Sequence, residues 1–326
     1  MLCIQDHNTD PWFNLAAEEY VLKNFREDCF MLWRNGPSII VGKHQNTLAE
    51  INLDWVRKNN IKVVRRLSGG GAVFHDLGNL NFTFIVSGED GNLVDFRKFT
   101  KPILEVLQKL DVEARFEGRN DLTIKGMKFS GNAEHVHKNR TLHHGTLLFS
   151  AVMTDLSRAL KVNPLKFTDK AVKSIRSRVT NISEHLKHPM DVMEFANLIM
   201  DHIVQDYGGT HFYTYTPEDI RAIEKLRDEK YSQWEWNFGY SPKYMFEKGI
   251  RSNGGYLEFH LNVEHGIITD LKIFGDFFHR YDIGIVERAL RGVRHDPDSI
   301  KERLDDFHLD DYFKNIPQEV FISGMF

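Results

Sequence analysis

The sequence predicts an α+β fold in two parts: a large domain of short strands with flanking helices, and a small C-terminal α+β domain. Three observations carry the prediction. Short apolar runs punctuated by Gly, Asn and Pro follow one another between residues 30 and 86. Stretches of helical spacing flank them at residues 11–22 and 96–110. From about Ser252 the texture changes to strict alternation, with Leu257, Phe259, Leu261 and Val263 set against Tyr256, Glu258, His260 and Asn262. A chain of 326 residues suits two domains at ~100–200 residues each.

Taken in order, Asp10-Pro11 starts a helix, and Phe13, Leu15, Ala16, Ala17, Tyr20 and Val21 carry it through Leu22. Strands are expected at Phe30–Trp33, Ser38–Val41, Ile61–Arg66, Ala72–Phe74 and Leu80–Val86. A helix over Phe96–Leu110 leads to strand-like runs at Val112–Phe116, Leu122–Met127 and Thr141–Phe149, with Lys125-Gly126 turning a hairpin. Asp191–Ile203 and Pro217–Tyr231 read as surface helices, and Trp234, Trp236, Phe238 and Tyr240 as aromatics that close the large domain's core. The domain boundary falls near Ser241 to Asn253. Beyond it Glu264-His265-Gly266 turns the alternating strand into Ile267–Phe274, and helices at Ile283–Leu290 and Ser299–Phe307 cover the buried face of that hairpin.

Composition excludes several classes. The chain is 41% hydrophobic and 27% charged, with a mean hydropathy of -0.40 and a pI near 6.5, as in soluble globular proteins. Its 42 basic and 46 acidic side chains leave a net charge of -4, without the positive field of a general nucleic-acid binder. Cys3 and Cys29 supply neither a disulfide framework nor a four-cysteine zinc site, which fits a reducing compartment. The opening MLCIQDHNTDPWFN has no basic stretch leading into an apolar run, so no signal or transit peptide is expected. No uncharged apolar run reaches the ~18 residues of a membrane span. The expected location is the cytoplasm, away from any membrane.

The densest chemical signal is Arg65-Arg66-Leu67-Ser68-Gly69-Gly70-Gly71-Ala72-Val73-Phe74-His75-Asp76. Bare backbone N–H groups beside arginines make a phosphate cradle by composition. The chain contains no GxxxxGK[ST], and Phe74 stands where GxGxxG needs its last glycine. The alternative is a glycine-rich hairpin turn with solvated arginines. A second signal is Gly118-Arg119-Asn120-Asp121, followed by Lys125-Gly126-Met127-Lys128-Phe129-Ser130-Gly131-Asn132-Ala133. Lysines three apart on a strand point to opposite faces, so one of Lys125 and Lys128 can enter a pocket while the other is solvated, and spacing alone does not say which. A lysine can pair with a carboxylate and a phosphate as charge builds between them, though a plain solvated lysine is the commoner case. Among 16 histidines, His135 and His137 share a strand face by spacing, but with no cysteine nearby the tract HVHKNR reads as a polar loop rather than a zinc site. His75 and His144 each lie beside a glycine-bearing strand segment, and neither has a Ser or Cys partner in an obvious nucleophile motif.

With these residues in view, the sequence resembles the lipoate–protein ligase A family in its bacterial two-domain form. The resemblance runs through DPWFNLAAEEY (Asp10 to Tyr20), LWRN (Leu32 to Asn35), VGKHQN (Val41 to Asn46) and RRLSGGGAVFHDLGNLNFTF (Arg65 to Phe84). It continues through GRNDL (Gly118 to Leu122), KFSGNA (Lys128 to Ala133), HHGTLLF (His143 to Phe149), SIRSRVTNISE (Ser174 to Glu184) and WEWNFG (Trp234 to Gly239). It implies the fold of the biotin–protein ligases, a mixed, partly antiparallel sheet flanked by helices, as a catalytic domain over residues 1–243, with a mobile accessory domain over 250–326.

It further implies a two-step reaction. Lipoate and Mg-ATP give lipoyl-AMP and pyrophosphate, and the lipoyl group then passes to a lysine of an apo acceptor, an E2 lipoyl domain or the glycine cleavage H protein. The enzyme is expected to be a monomer with ATP and Mg2+ as its only helpers and no bound prosthetic group. By motif position Lys128 is the catalytic lysine, touching both substrates. Arg66, Gly71, Ala72, Val73, Phe74, Asn79 and Asp121 fall in the adenylate site, Asp121 also as a Mg2+ ligand. Trp33, Ser68, Gly70, His75 and His144 line the lipoyl tunnel. The competing readings are an octanoyl or lipoyl transferase of the same fold, whose cysteine nucleophile Cys3 and Cys29 do not match in position, and a lipoate-binding relative without catalysis.

Overall fold

A computed structural model describes residues 1–88, 95–160, 167–169, 178–206 and 209–326. The strands are β1 (Leu2–Gln5), β2 (Cys29–Trp33), β3 (Ser38–Val41), β4 (Lys62–Arg65), β5 (Val73–His75), β6 (Asn79–Ser87), β7 (Ala114–Glu117), β8 (Asp121–Ile124), β9 (Met127–His137), β10 (Arg140–Leu148), β11 (Phe167–Asp169), β12 (His211–Phe212), β13 (Tyr244–Ser252), β14 (Gly255–Glu264) and β15 (Ile267–Phe277). The helices are α1 (Pro11–Asn24), α2 (Thr47–Glu50), α3 (Leu53–Lys58), α4 (Phe96–Lys109), α5 (Met153–Ala159), α6 (Val192–Asp206), α7 (Pro217–Leu226), α8 (Gly284–Leu290), α9 (Pro297–Leu304) and α10 (Gln318–Ser323). Two compact units result: Met1–Lys43, Lys58–Leu160 and Ser174–Gln233 form one, and His44–Arg57, Lys161–Lys173 and Trp234–Phe326 the other.

The first unit is built on a sheet of order β12-β1-β2-β6-β10-β9-β8-β7 and a smaller one of order β4-β3-β5. β1 runs parallel to β2 and β12, whereas β6, β10, β9 and β8 pair antiparallel, so the sheet is mixed, as expected. One face carries Phe30, Leu32, Leu80, Phe82, Phe84 and Leu147, and α4 and α6 cover it with Phe99, Ile103, Val106, Leu107, Phe195, Ile199 and Ile203 in one buried cluster. The spacing 99, 103, 106, 107 is the apolar stripe of a helix lying on a sheet. Helix α1 starts where the sequence placed it: the Asp10 carboxylate accepts from the Trp12 N–H at 3.1 Å and Pro11 takes the first turn.

In the second unit β14 and β15 form the expected hairpin. His265 and Gly266 turn it with φ of 51° and 71°, the left-handed pair a two-residue hairpin requires. Leu257, Phe259, Leu261 and Val263 bury their side chains with Val286 and Leu290 of α8 and Ile300 and Leu304 of α9. β13 and β11 extend this sheet, and β13 occupies the stretch where the sequence placed the junction.

Two expectations need correction. Trp234, Trp236 and Phe238 are half-buried and Tyr240 is 44% exposed, so they do not close the large domain's core. They belong to the second unit, where Trp234 lies against Gly266 of the hairpin turn and the Arg294 guanidinium sits 4.9 Å from its ring centre. The tract at His135 to Arg140 is not a loop: His135 and His137 end β9, Lys138 turns with φ 55°, and Arg140 opens β10 with its guanidinium donating to the carbonyls of Phe25 and Glu27 just past α1.

Candidate active site

The register of the large sheet decides which side chains meet. The pairs Asn79↔Leu148, Asn81↔Thr146 and Thr83↔His144 between β6 and β10, with Trp33↔Asn81, put Trp33, Asn79, Asn81, Thr83, His144 and Thr146 on the face opposite the Phe82–Phe84 core. Trp33, Asn79, Asn81, Thr83 and His144 are nonetheless buried, because α1 and the glycine loop lie over this face. A buried face dense in polar groups is an expensive arrangement for a fold alone.

The glycine loop runs from Arg65 and Arg66 at the end of β4 to β5. Arg66 is its internal scaffold: Nε donates to Ser68 Oγ at 3.0 Å, Nη1 to the Ile40 carbonyl at 3.2 Å, and Nη2 to the Gly69 and Gly71 carbonyls at 2.6 and 2.8 Å. Burial lowers its pKa to about 10, so it stays charged at neutral pH. The loop also folds back onto β3, where a Cβ on Gly42 would lie 2.1 Å from the Gly70 oxygen. Gly70 itself has φ 91°, a conformation open to glycine.

Ser68 and His144, both assigned to the lipoyl tunnel, meet directly. Ser68 Oγ lies 2.6 Å from His144 Nε2, and His144 Nδ1 lies 3.0 and 3.1 Å from the two oxygens of Glu18 on α1. Thr83 Oγ1 donates to Glu18 Oε1 at 2.6 Å and accepts from Trp33 Nε1 at 3.0 Å. His75 packs edge-on to Trp33 with ring centres 6.3 Å apart, and its Nδ1 accepts from the Asn35 amide at 3.1 Å. Burial, then the charges of Arg66 and His144, drive the His75 pKa down to about 3, which leaves a neutral ring whose Nε2 has no partner. Asn79 Oδ1 and Asn81 Nδ2 are likewise buried without partners.

Lys128 reaches the same face through a β-bulge. Leu122 pairs with Ser130 but Thr123 pairs with Lys128, so Phe129 is an extra residue and the side chains beyond it change sides. Lys128 thereby joins Asp121, whose Oδ1 holds its Nζ at 2.8 Å, and lies over Gly131, where a Cβ would stand 3.1 Å from Nζ. Lys125 sits in the preceding turn with φ 52° and is exposed. A cavity of about 260 Å³ opens here, lined by Glu117, Gly118, Asp121, Thr123, Gly126, Lys128 and Arg178. The Lys128 N–H donates to the Arg178 carbonyl at 2.8 Å, and the Lys128 carbonyl accepts from Thr180 at 3.0 Å. Residues 174–177 of the SIRSRVTNISE motif lie outside the described residues.

Of the residues named from sequence, Arg66, Ser68, Gly70, Gly71 and His144 form one constellation, Trp33 and His75 adjoin it, and Lys128 pairs with Asp121. Ala72, Val73 and Phe74 continue the loop into β5, where Val73 and Phe74 pair with Ile40 and Ile39. Glu18, Thr83, Asn35 and Arg178 were not singled out. Glu18 had a signal: with Asn14 one turn earlier, it puts polar groups on the stripe that also carries the apolar Pro11, Leu15 and Leu22. Among the described residues Glu105, His202 and Asp206 also bring ligand-type atoms together. There Lys109 Nζ lies 2.8 Å from His202 Nδ1, which makes Nε2 the protonated nitrogen and turns it to the carboxylates rather than to a cation. Cys29 is no nucleophile, since burial pushes its thiol up to about 12.

The family model described as the lipoyl protein ligase A/B catalytic domain matches residues 10–204, and that of the bacterial lipoate protein ligase C-terminus matches residues 241–325. Lipoate–protein ligase 1 of Staphylococcus aureus is 45% identical over 330 residues, covering 100% of both chains. Among solved structures, a bipartite lipoate protein ligase studied with its E2 lipoyl domain from Thermoplasma acidophilum superposes with a TM-score of 0.63 at 27% identity, over 73% of this chain and 96% of that one. A lipoate-protein ligase A bound with ATP superposes with a TM-score of 0.63 at 26% identity, over 73% and 98%. The chain belongs to the lipoate–protein ligase family.

Proposed function

We propose that this enzyme activates lipoate with Mg-ATP and transfers the lipoyl group to a lysine of E2 lipoyl domains and of the glycine cleavage H protein. The observation that carries the reading is the bulge at Phe129, which brings Lys128 to the buried polar face that also holds His144, Ser68 and Trp33. From Ala133, the β9 partner of His144, to Lys128 is roughly 15 Å of strand at ~3.3 Å per residue. That span suits an acyl chain with its carboxylate at one end and its ring at the other. The unpartnered Asn79 Oδ1 and Asn81 Nδ2 lie toward the Lys128 end, where the polar adenylate would need partners.

In the first step a lipoate carboxylate oxygen attacks the α-phosphorus of ATP, and the bond to pyrophosphate breaks. Two anions must approach, so a fixed cation between them lowers the barrier. Lys128, steadied by Asp121, supplies it, and Arg66 keeps the glycine loop closed so that the backbone of Gly71 to Phe74 meets the nucleotide. Mg2+ enters with ATP as part of the substrate, and Asp121 and Glu117 offer the hard oxygen ligands it takes. His75, neutral at physiological pH, donates through Nε2 without adding charge. In the second step the acceptor lysine's amine attacks the lipoyl carbonyl, an amide forms, and AMP leaves with the proton released. We assign this chemistry to residues 1–243 and an accessory role to 250–326. Among the described residues no helix is long and apolar enough to cross a membrane, and we place the enzyme in the cytoplasm as a monomer. The test is mass spectrometry of a purified apo lipoyl domain incubated with enzyme, lipoate and Mg-ATP. One added lipoyl group, absent without ATP, is expected, and transfer that proceeds without ATP would overturn the reading.

A further inference from the structure

Glu18 is the point where two hydrogen-bond chains end. From one side Trp33 Nε1 donates to Thr83 Oγ1 at 3.0 Å, which donates to Glu18 Oε1 at 2.6 Å. From the other, Arg66 Nε donates to Ser68 Oγ at 3.0 Å, Ser68 Oγ lies 2.6 Å from His144 Nε2, and His144 Nδ1 lies 3.0 and 3.1 Å from the Glu18 oxygens. The whole chain is buried, with Glu18 3% exposed, Thr83 0%, Ser68 1%, Trp33 4%, Arg66 7% and His144 8%.

A carboxylate only accepts, so it fixes the protons along both chains. His144 must carry its proton on Nδ1. Ser68 Oγ accepts from Arg66 Nε, and the acceptor within reach of its own proton is Nε2, so the geometry turns the Ser68 hydroxyl to a bare Nε2. The same carboxylate takes the Thr83 hydroxyl and leaves that oxygen's lone pair for the Trp33 indole. Every donor named is thus turned to a protein partner. An apolar acyl chain needs that of its container, because a buried donor left unpaired costs more than the hydrogen bond it would have made.

We propose that Glu18 is a positioning residue for the acyl substrate: as the common acceptor of both chains it fixes the His144 tautomer and keeps the Thr83, Ser68 and Trp33 donors out of the space the acyl chain occupies. The inference rests on the lipoate-binding reading of this face. Unlike Lys128, Glu18 acts on acyl binding and not on the phosphoryl step.

Two measurements test it. The first needs no substrate: two-bond 1H–15N spectra of the histidine rings, with His144 identified by its loss in His144→Gln. Wild type is expected to show Nδ1 protonated and Nε2 bare, and an Nε2–H ring in wild type would overturn the proposal. The second is steady-state pyrophosphate release by Glu18→Ala and Glu18→Gln. Glu18→Ala should raise KM for lipoate and for octanoate at least ~10-fold with KM for ATP within about twofold, while Glu18→Gln, which keeps one acceptor oxygen, should recover most of the loss. An unchanged lipoate KM in Glu18→Ala, or an equal rise in the ATP KM, would overturn it. If Glu18→Ala does not fold, wild-type tautomer and the Gln variant's KM decide. Wild-type protein that releases no pyrophosphate with lipoate would instead defeat the proposed function, leaving the ring spectra to judge Glu18's hold on His144.

Discussion

Substituting Gly42 by alanine probes how closely the glycine loop must sit. The added methyl would lie 2.1 Å from the Gly70 oxygen and 3.3 Å from Arg66 Nη2. Carbon and oxygen do not approach below about 3 Å, so the loop must retreat by about 1 Å. Retreat is resisted, because Arg66 holds the Gly69 and Gly71 carbonyls at 2.6 and 2.8 Å and the Lys43 N–H holds the Ser68 carbonyl at 2.9 Å. Overpacking of this kind costs about 1–3 kcal/mol, which for a unit of this size lowers Tm by roughly 2–4 °C per kcal/mol. Activity should suffer more than stability, since a displacement of about 1 Å in a reacting geometry costs on the order of 100-fold. Pyrophosphate release at saturating ATP and lipoate, alongside thermal melts, measures both. A Gly42→Ala enzyme with wild-type kcat would refute the view that the closed loop is the working form.

Asp121→Asn keeps the shape beside Lys128 but removes the charge 2.8 Å from Nζ. Pyrophosphate release should fall about 10–100-fold, as losses of groups that orient a catalytic ligand do, and a fall of less than twofold would count against the pairing. His75 has a folded-state pKa near 3, below its unfolded value, so its contribution to stability is present above pH 6.5 and drains away as pH falls toward 3. At pH 5 the loss is about 2 kcal/mol, and urea melts of His75→Gln should show a pH dependence between 7 and 5 shallower by about that amount. An unchanged slope would mean that His75 titrates normally. Cys29→Ala should leave lipoylation within about twofold, because the thiol is buried in β2 and protonated at neutral pH. Loss of acyl transfer in that variant would revive a cysteine-linked transferase.

Local signals carried most of the fold. Asp10-Pro11, the stripe from Phe99 to Leu107 and the His265-Gly266 turn each act within a few residues, and each stands where its chemistry placed it. The glycine loop was legible as a loop, but the destination of Arg66 was not. Its guanidinium is spent on four loop and strand acceptors, and only three-dimensional closure decides that. The face of Lys128 was illegible for a sharper reason: strand parity is reset by the single extra residue Phe129, and a bulge has no marker in a run such as MKFSGNA. The HVHKNR tract hid its hairpin because its two-residue turn, Lys138-Asn139, takes the one left-handed position with Lys138 and without glycine. Trp234 and its neighbours misled because aromatic residues are equally at home half-covered on a surface and inside a core.

The central claim is that Lys128 bridges carboxylate and α-phosphate at one end of a polar buried face. Pyrophosphate release by wild type and by Lys128→Ala, with lipoate, octanoate and biotin compared side by side, tests it most directly. The account predicts lipoate-dependent release by wild type, no turnover of biotin, and a Lys128→Ala enzyme that still melts cooperatively but forms no adenylate. Adenylate formation by Lys128→Ala at the wild-type rate would contradict it.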